Sequence, residues 1–184
     1  MLSPSSLLHA GSAQKPDERI DVRAREISVN LPLYGRTLTG YHLYIVYSDA
    51  AGKEFVCEGF PFYSSAGQVP STHALFYGAP GLLTQGHCGF MRDDGPAAVY
   101  GGNGGPLQGR RHSVTVLWGK GAGEAYRCFE EETAMFNAEK VPYRMATGPN
   151  SNTFVRTILD RCGVPALKPA GAVPAPGWEI SLVR

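Results

Sequence analysis

Ser151 lies in Gly148-Pro149-Asn150-Ser151-Asn152-Thr153-Phe154-Val155, a loop that turns abruptly into a helix. Asn150, Ser151 and Asn152 are all good N-cap residues. Phe154, Val155, Ile158 and Leu159 then fall at helical spacing, with Arg156 and Asp160 on the other side. Gly163 ends the helix and Pro165 follows it. A hydroxyl in the first turn of such a helix sits among unpaired N–H donors, at the positive end of the helix dipole. Both stabilise negative charge nearby. The position suits a nucleophile and its oxyanion, and it equally suits a plain capping serine.

A serine nucleophile needs a base, and histidine is the usual one near neutral pH. The histidines are His9, His42, His73, His87 and His112. His9 falls in a loose N-terminal lead, His73 and His87 in a glycine-rich stretch, and His112 at the start of a strand. His42 lies inside Tyr41-His42-Leu43-Tyr44-Ile45-Val46-Tyr47, the strongest strand signal in the chain. Ser48 to Lys53 reads as a turn and Glu54 to Phe60 as the second strand of a hairpin. With that turn, Glu58 comes into register with residues 42 to 44 and can hold the outer nitrogen of His42, as the acid does in a triad. An ordinary core histidine and an exposed strand carboxylate are the plainer alternatives for the pair.

The elements around this trio follow from pattern. Residues 1–19, rich in Ser, Ala and Pro, read as a flexible lead, and residues 20–184 as one domain. Ile20 to Leu33 opens the domain, and Gly35 and Gly40 punctuate the turn before the histidine strand. A Gly/Pro-rich insertion at about 61–109 offers a binding-site lining, with only short apolar pieces. Its Gly101-Gly102-Asn103-Gly104-Gly105-Pro106 lacks the Lys-Ser/Thr ending of a phosphate loop. Arg111 to Trp118 alternates like a third strand. Glu124 to Lys140 reads as an amphipathic helix with Tyr126, Phe129, Ala134, Met135 and Phe136 on its apolar side. A Pro/Ala/Gly tail follows from Pro165. The expected fold is therefore α+β, an antiparallel β-sheet packed against helices.

The order of these parts resembles the circularly permuted papain-like hydrolases and acyltransferases, the NlpC-like and lecithin retinol acyltransferase-like group. There the histidine strand comes first and the nucleophile helix last. Asn150-Ser151-Asn152-Thr153-Phe154 is similar to that family's Asn-Cys-x-x-Phe motif, with serine in place of cysteine. Tyr41-His42 looks like its histidine strand, and Glu58 matches its third polar residue loosely. The resemblance spans the hairpin and residues 124–159. It implies a permuted papain-like fold and attack on an amide or ester of a peptide, peptidoglycan or lipid. Ser151 would be the nucleophile, His42 the base and Glu58 its orienter, with Tyr41, Asn150 and Asn152 at the oxyanion or pocket. A hydroxyl, unlike a thiol, needs concerted proton removal. Ser151 can thus be a working nucleophile, an inactivated site or a Cys→Ser change. A binding module on the same fold, using Tyr77, Phe90 and Tyr100, is the non-enzymatic alternative.

Composition excludes several classes. With 184 residues, 43% hydrophobic and 18% charged, the chain is long and apolar enough for a real core. A net charge of +1 with scattered Lys and Arg offers no nucleic-acid groove. No apolar run spans a bilayer, and the first residues make a poor secretory signal. Synthesis in the cytoplasm is expected, with a specialised bacterial secretion system as the exit route of an effector or toxin. An immunity or carrier protein would then be its partner. The four cysteines, Cys57, Cys88, Cys128 and Cys162, show no CxxC pair and no metal spacing. They read as mostly reduced core thiols, their even number leaving a disulfide open. The His87–Cys88 pair is a weak dyad, because adjacent strand residues face opposite ways. No metal or cofactor is expected.

Overall fold

The computed structural model describes residues 17–31, 36–64, 71–90 and 112–183. Its strands are β1 Arg19–Leu31, β2 Arg36–Ser48, β3 Glu54–Tyr63, β4 Leu82–Phe90 and β5 His112–Trp118. They form a five-stranded antiparallel sheet in the order β4-β3-β2-β1-β5, so the histidine strand β2 is central. The helices are α1 Thr72–Tyr77, α2 Gly121–Ala138 and α3 Ser151–Arg161. The fold is α+β. Among the described residues no helix is long and apolar enough to cross a membrane.

Strand alternation builds the core. Ile20, Val22 and Ala24 of β1 and Leu43 and Ile45 of β2 are buried against Phe129 and Phe136 of α2 and Phe154 and Ile158 of α3. The intervening Asp21, Arg23, His42 and Tyr44 belong to the other face and are buried as well. On α2 the core positions are Ala122, Ala125, Tyr126, Phe129, Thr133 and Phe136. Met135 is exposed, and Thr133 takes the place expected of Ala134 and Met135. Thr133 lies four residues from Phe129 and three from Phe136, on their stripe, whereas Ala134 is rotated well off it. The helix also begins earlier than expected, at Gly121.

Two glycines set how closely α3 lies on the sheet. Gly59 of β3 and Gly86 of β4 are direct cross-strand partners. A Cβ on Gly59 would lie 2.8 Å from Phe154 Cβ and 2.9 Å from Ser151 Cα. A Cβ on Gly86 would overlap the Phe154 ring. That ring rests on the bare patch and meets Phe136 edge-on at a centroid distance of 5.1 Å. Gly86 is also gripped by α2: Asn137 Oδ1 accepts its N–H at 2.7 Å, and Asn137 Nδ2 donates to its carbonyl at 2.9 Å. The outer side of strand β4 is thereby partly covered.

Several expectations need correction. Gly40 does not punctuate a turn; it continues β2, paired with Ile27 of β1. The stretch 61–109 is not wholly irregular. Its first residues complete β3, and it contains α1 and all of β4, whose pairing with β3 runs from Phe55↔Phe90 to Tyr63↔Leu82. The glycine loop at 101–106 lies outside the described residues, as does most of the lead at 1–19, although Arg19 opens β1. The cysteines are not reduced thiols: Cys57 bonds to Cys88 and Cys128 to Cys162. Cys57 and Cys88 face each other directly on β3 and β4, and Cys128–Cys162 joins α2 to the end of α3.

Two measurements check this architecture. Gly86→Ala should destabilise the fold by about 1–3 kcal/mol, because the added methyl must displace a ring in a packed core. At about 2–4 °C per kcal/mol, the melting temperature falls by several degrees; an unchanged value would mean that α3 does not rest on Gly86. Thiol titration of guanidinium-unfolded protein, without reductant, should find no free cysteine. Stoichiometric thiols there would refute the pairing.

Candidate active site

Ser151 stands at the start of α3 because Asn150 caps that helix. Asn150 has extended backbone geometry, and its Oδ1 accepts from the N–H groups of Asn152 at 2.9 Å and Thr153 at 3.3 Å. Its main-chain carbonyl accepts from Phe154 at 3.0 Å. Asn150 Nδ2 donates at 2.9 Å to the carbonyls of Met145 and Pro176, tying the cap to the preceding loop and to the C-terminal tail.

Asn152 fixes where that helix start meets the sheet. β2 and β3 pair from Ser48↔Glu54 as far as Ile45↔Cys57, and beyond that point both strands continue while the pairing stops. Asn152 fills the gap in the ladder. Its Oδ1 accepts the Leu43 N–H at 2.8 Å and its Nδ2 donates to the Tyr41 carbonyl at 2.9 Å. The side-chain amide stands in for a strand, and Ser151 sits beside His42 as a consequence. Tyr41 N–H donates to Pro174 O at 2.8 Å, so the tail continues the same edge. Thr153 Oγ1 donates to Gly177 O at 2.9 Å, and Trp178 is buried in the core.

Ser151, His42 and Glu58 come together. Ser151 Oγ is 3.1 Å from His42 Nδ1, and His42 Nε2 is 3.1 Å from Glu58 Oε2. All three side chains are buried. An ionised carboxylate only accepts hydrogen bonds, so Glu58 calls for the proton on Nε2 and leaves the Nδ1 lone pair facing the hydroxyl. The ring nitrogens are used in the opposite sense to the chymotrypsin-type triad, where Nε2 faces the serine.

A fourth residue joins them. Arg25 of β1 is the cross-strand partner of His42, and its Nη2 is 3.1 Å from Glu58 Oε2, the same oxygen that His42 meets. The guanidinium lies 5.9 Å from the Tyr44 ring centroid, and the Tyr44 and His42 rings lie 6.4 Å apart and nearly parallel. Sequence reasoning passes over Arg25, one of many charged residues in an alternating strand; the signal is its register opposite His42, which needs the β1–β2 pairing.

Burial and the Arg25 charge both disfavour the imidazolium, and they outweigh the attraction of Glu58, so the pKa of His42 is lowered from its ordinary 6.5. Burial alone would raise the Glu58 carboxyl. The hydrogen bond from His42 and the nearby positive charge of Arg25 bring it below its usual value instead. The resting pair is a neutral imidazole against a carboxylate neutralised by arginine.

No protein-family model, curated protein or solved structure matches the chain.

The remaining candidates fall elsewhere. Tyr41, Asn150 and Asn152 line, with Ser151, a cavity of about 230 Å³. The amides of Asn150 and Asn152 are taken up in the bonds above, and the N–H groups of Asn152 and Thr153 are held by the cap. The Ser151 N–H is the first-turn donor outside that cap, which narrows the set of helix donors expected for an oxyanion. His87 faces Glu58 across β3 and β4 and is exposed. His112 bonds to the Ala170 carbonyl at 3.1 Å, His73 packs on Tyr77, and His9 lies outside the described residues. Among the described residues no group of three His, Cys, Asp or Glu could hold a metal ion.

The lowered His42 pKa has a measurable sign. The imidazole stays neutral, and able to take a proton, below the ordinary histidine range. The rate at which a fluorophosphonate labels Ser151 should therefore hold up as pH falls, with its acid limb centred below 6.5. Arg25→Ala removes a charge that opposes the imidazolium and frees Glu58 to stabilise it, so the limb moves to higher pH. Arg25→Lys, which keeps the charge, should shift it less. Superimposable profiles for Arg25→Ala and the parent would remove Arg25 from this electrostatic set.

Proposed function

We propose that this protein is a serine-dependent hydrolase or acyltransferase acting on an amide or ester of a peptide, peptidoglycan or lipid. The observation that carries the reading is the unbroken line Ser151–His42–Glu58, with both contacts at 3.1 Å and with Ser151 opening on a cavity. Ser151 Oγ attacks the substrate carbonyl carbon while its proton passes to His42 Nδ1. The Nε2–H bond to Glu58 strengthens as the imidazolium forms. The Ser151 N–H and the α3 dipole face the oxyanion. Collapse breaks the bond to the leaving group, which takes the proton from Nδ1 and departs as an alcohol or amine. Water, or an acceptor alcohol or amine, then gives its proton to His42 and attacks the acyl-serine. The acid or transferred acyl product leaves, and the Ser151 hydroxyl is restored.

The arrangement supports a permuted papain-like fold: a histidine on a central strand early in the chain, and the nucleophile at a helix start late in it. The disulfides bear on compartment. Such bonds persist in oxidising surroundings, which fits a bacterial effector exported to the periplasm or beyond, with an immunity or carrier protein as partner.

A fluorophosphonate probe with intact-mass readout tests the nucleophile. The native protein should take one label, on Ser151, and Ser151→Ala none. His42→Ala and Glu58→Gln should slow labelling by about 10²- to 10⁴-fold, the range for a lost base or a wrong tautomer, with the fold retained. Unchanged labelling in Ser151→Ala would overturn the proposal. Ser151 left unlabelled in a folded native protein would favour the binding-module alternative, which uses the exposed Tyr77 and Phe90; Tyr100, its third residue, lies outside the described residues.

A further inference from the structure

The cavity on which Ser151 opens has a chemical character of its own. Ile27, Leu38, Phe76, Met145, Pro174 and Pro176 form much of its wall, and among the described residues no Asp, Glu, Lys, Arg or His lines it. Most of the polar side chains that do line it are spoken for. The Asn150 and Asn152 amides are bonded to backbone, and the Thr39 hydroxyl pairs with Ser28 Oγ at 3.2 Å. His42 is not in the wall, so the nucleophile is approached from the apolar side with its base behind it.

We propose that this cavity is an acyl pocket that takes an uncharged, straight-chain acyl group of about six to eight carbons and presents its carbonyl to Ser151. The inference rests on the reading of Ser151 as nucleophile and adds which half of the substrate enters and what it is made of. Away from the Ser151 end, a charged group meets no opposite charge among the described lining residues and would shed its water with little compensation. Peptide stems with free carboxylates or ammonium groups beside the scissile carbonyl are thereby disfavoured. The size follows from volume. At roughly 30 Å³ per water-sized group, about 230 Å³ holds some seven or eight heavy atoms. The exposed Leu38 stands at the rim, where a longer chain would begin to leave the pocket.

Binding can be read without turnover. In full-length Ser151→Ala, titration calorimetry with butanamide, hexanamide, octanamide and dodecanamide supplies the uncharged acyl group with no scissile ester. Affinity should tighten by about fourfold per methylene as far as octanamide and level off beyond it. The ω-carboxylate analogue of octanamide should bind at least about tenfold more weakly. Leu38→Asp, in the same background, should weaken octanamide by about tenfold, and Leu167→Asp, an exposed leucine elsewhere, should not. Affinity that is flat with chain length, or equal for the carboxylate analogue, would overturn the acyl pocket. Phenylalaninamide and leucinamide, each N-acetylated, form a second arm: tighter binding of these than of octanamide would make the occupant a peptide side chain and sink the straight-chain assignment. The fluorophosphonate experiment stays separate. Ser151 labelled together with flat amide binding rejects the pocket and keeps the nucleophile; graded amide binding without labelling does the reverse.

Discussion

The site depends on one close approach, the first turn of α3 against the place where β2 and β3 part. A helix resting on a sheet is normally held off by side chains on both surfaces. Here Gly59 and Gly86 remove them from two neighbouring strands, and Phe154 occupies the space. Without that seat the helix would stand off and Ser151 could not reach a histidine on the same sheet. The parting of the strands creates the second half of the problem, because it bares backbone groups of β2. Asn152 answers both the Leu43 N–H and the Tyr41 carbonyl with one planar amide. Losing it would leave the buried Leu43 N–H unpaired at about 1–3 kcal/mol, and the partly buried Tyr41 carbonyl as well, so the register of the helix start is strongly specified. Asn137 does the same for Gly86 on β4. Nothing in an isolated helix calls for these asparagines; the sheet does.

Charge is handled as economically as shape. A carboxylate as buried as Glu58 is costly unless its lone pairs are used. Arg25 and His42 both meet its Oε2, one as a fixed cation and one as a neutral donor. Had both been cations, their mutual repulsion at this range would be large in a buried setting. The arrangement relieves that by leaving the imidazole neutral. Tyr44 lies beneath the guanidinium and beside the imidazole. The acid thus orients the ring while the arginine sets its charge.

What is legible in the sequence divides along a physical line. Ser151, the α3 stripe and the β2–β3 hairpin are local patterns, set by capping chemistry and by periods of 3.6 and 2. Glu58 is reachable because one tight turn relates two strands. The misses are non-local. Arg25 matters through a β1–β2 register that the sequence leaves open, because Gly40 looks like a second breaker while lying within a paired strand. β4 is hidden by glycines that weaken its strand signal, yet Gly86 is there for Phe154 to approach. The cysteines have no motif spacing because each disulfide joins elements that meet only after folding, over separations of 31 and 34 residues. The tail reads as loose Pro/Ala/Gly, but its carbonyls at Pro174, Pro176 and Gly177 hold Tyr41, Asn150, Asn152 and Thr153.

The serine itself can be weighed against this electrostatic background. A cysteine at this position would work best as a thiolate beside an imidazolium, the thiolate itself being the chief charge that stabilises the ring. Burial and Arg25 act the other way, and Glu58, which alone would favour the imidazolium, has its charge shared with the arginine. A hydroxyl never ionises beforehand; it needs an acceptor that is neutral at rest and gains charge only as the attack proceeds. A neutral His42 with its Nδ1 lone pair on Ser151 Oγ, and a carboxylate waiting behind Nε2, is an environment of that kind. The charges around the histidine are therefore compatible with a hydroxyl at position 151.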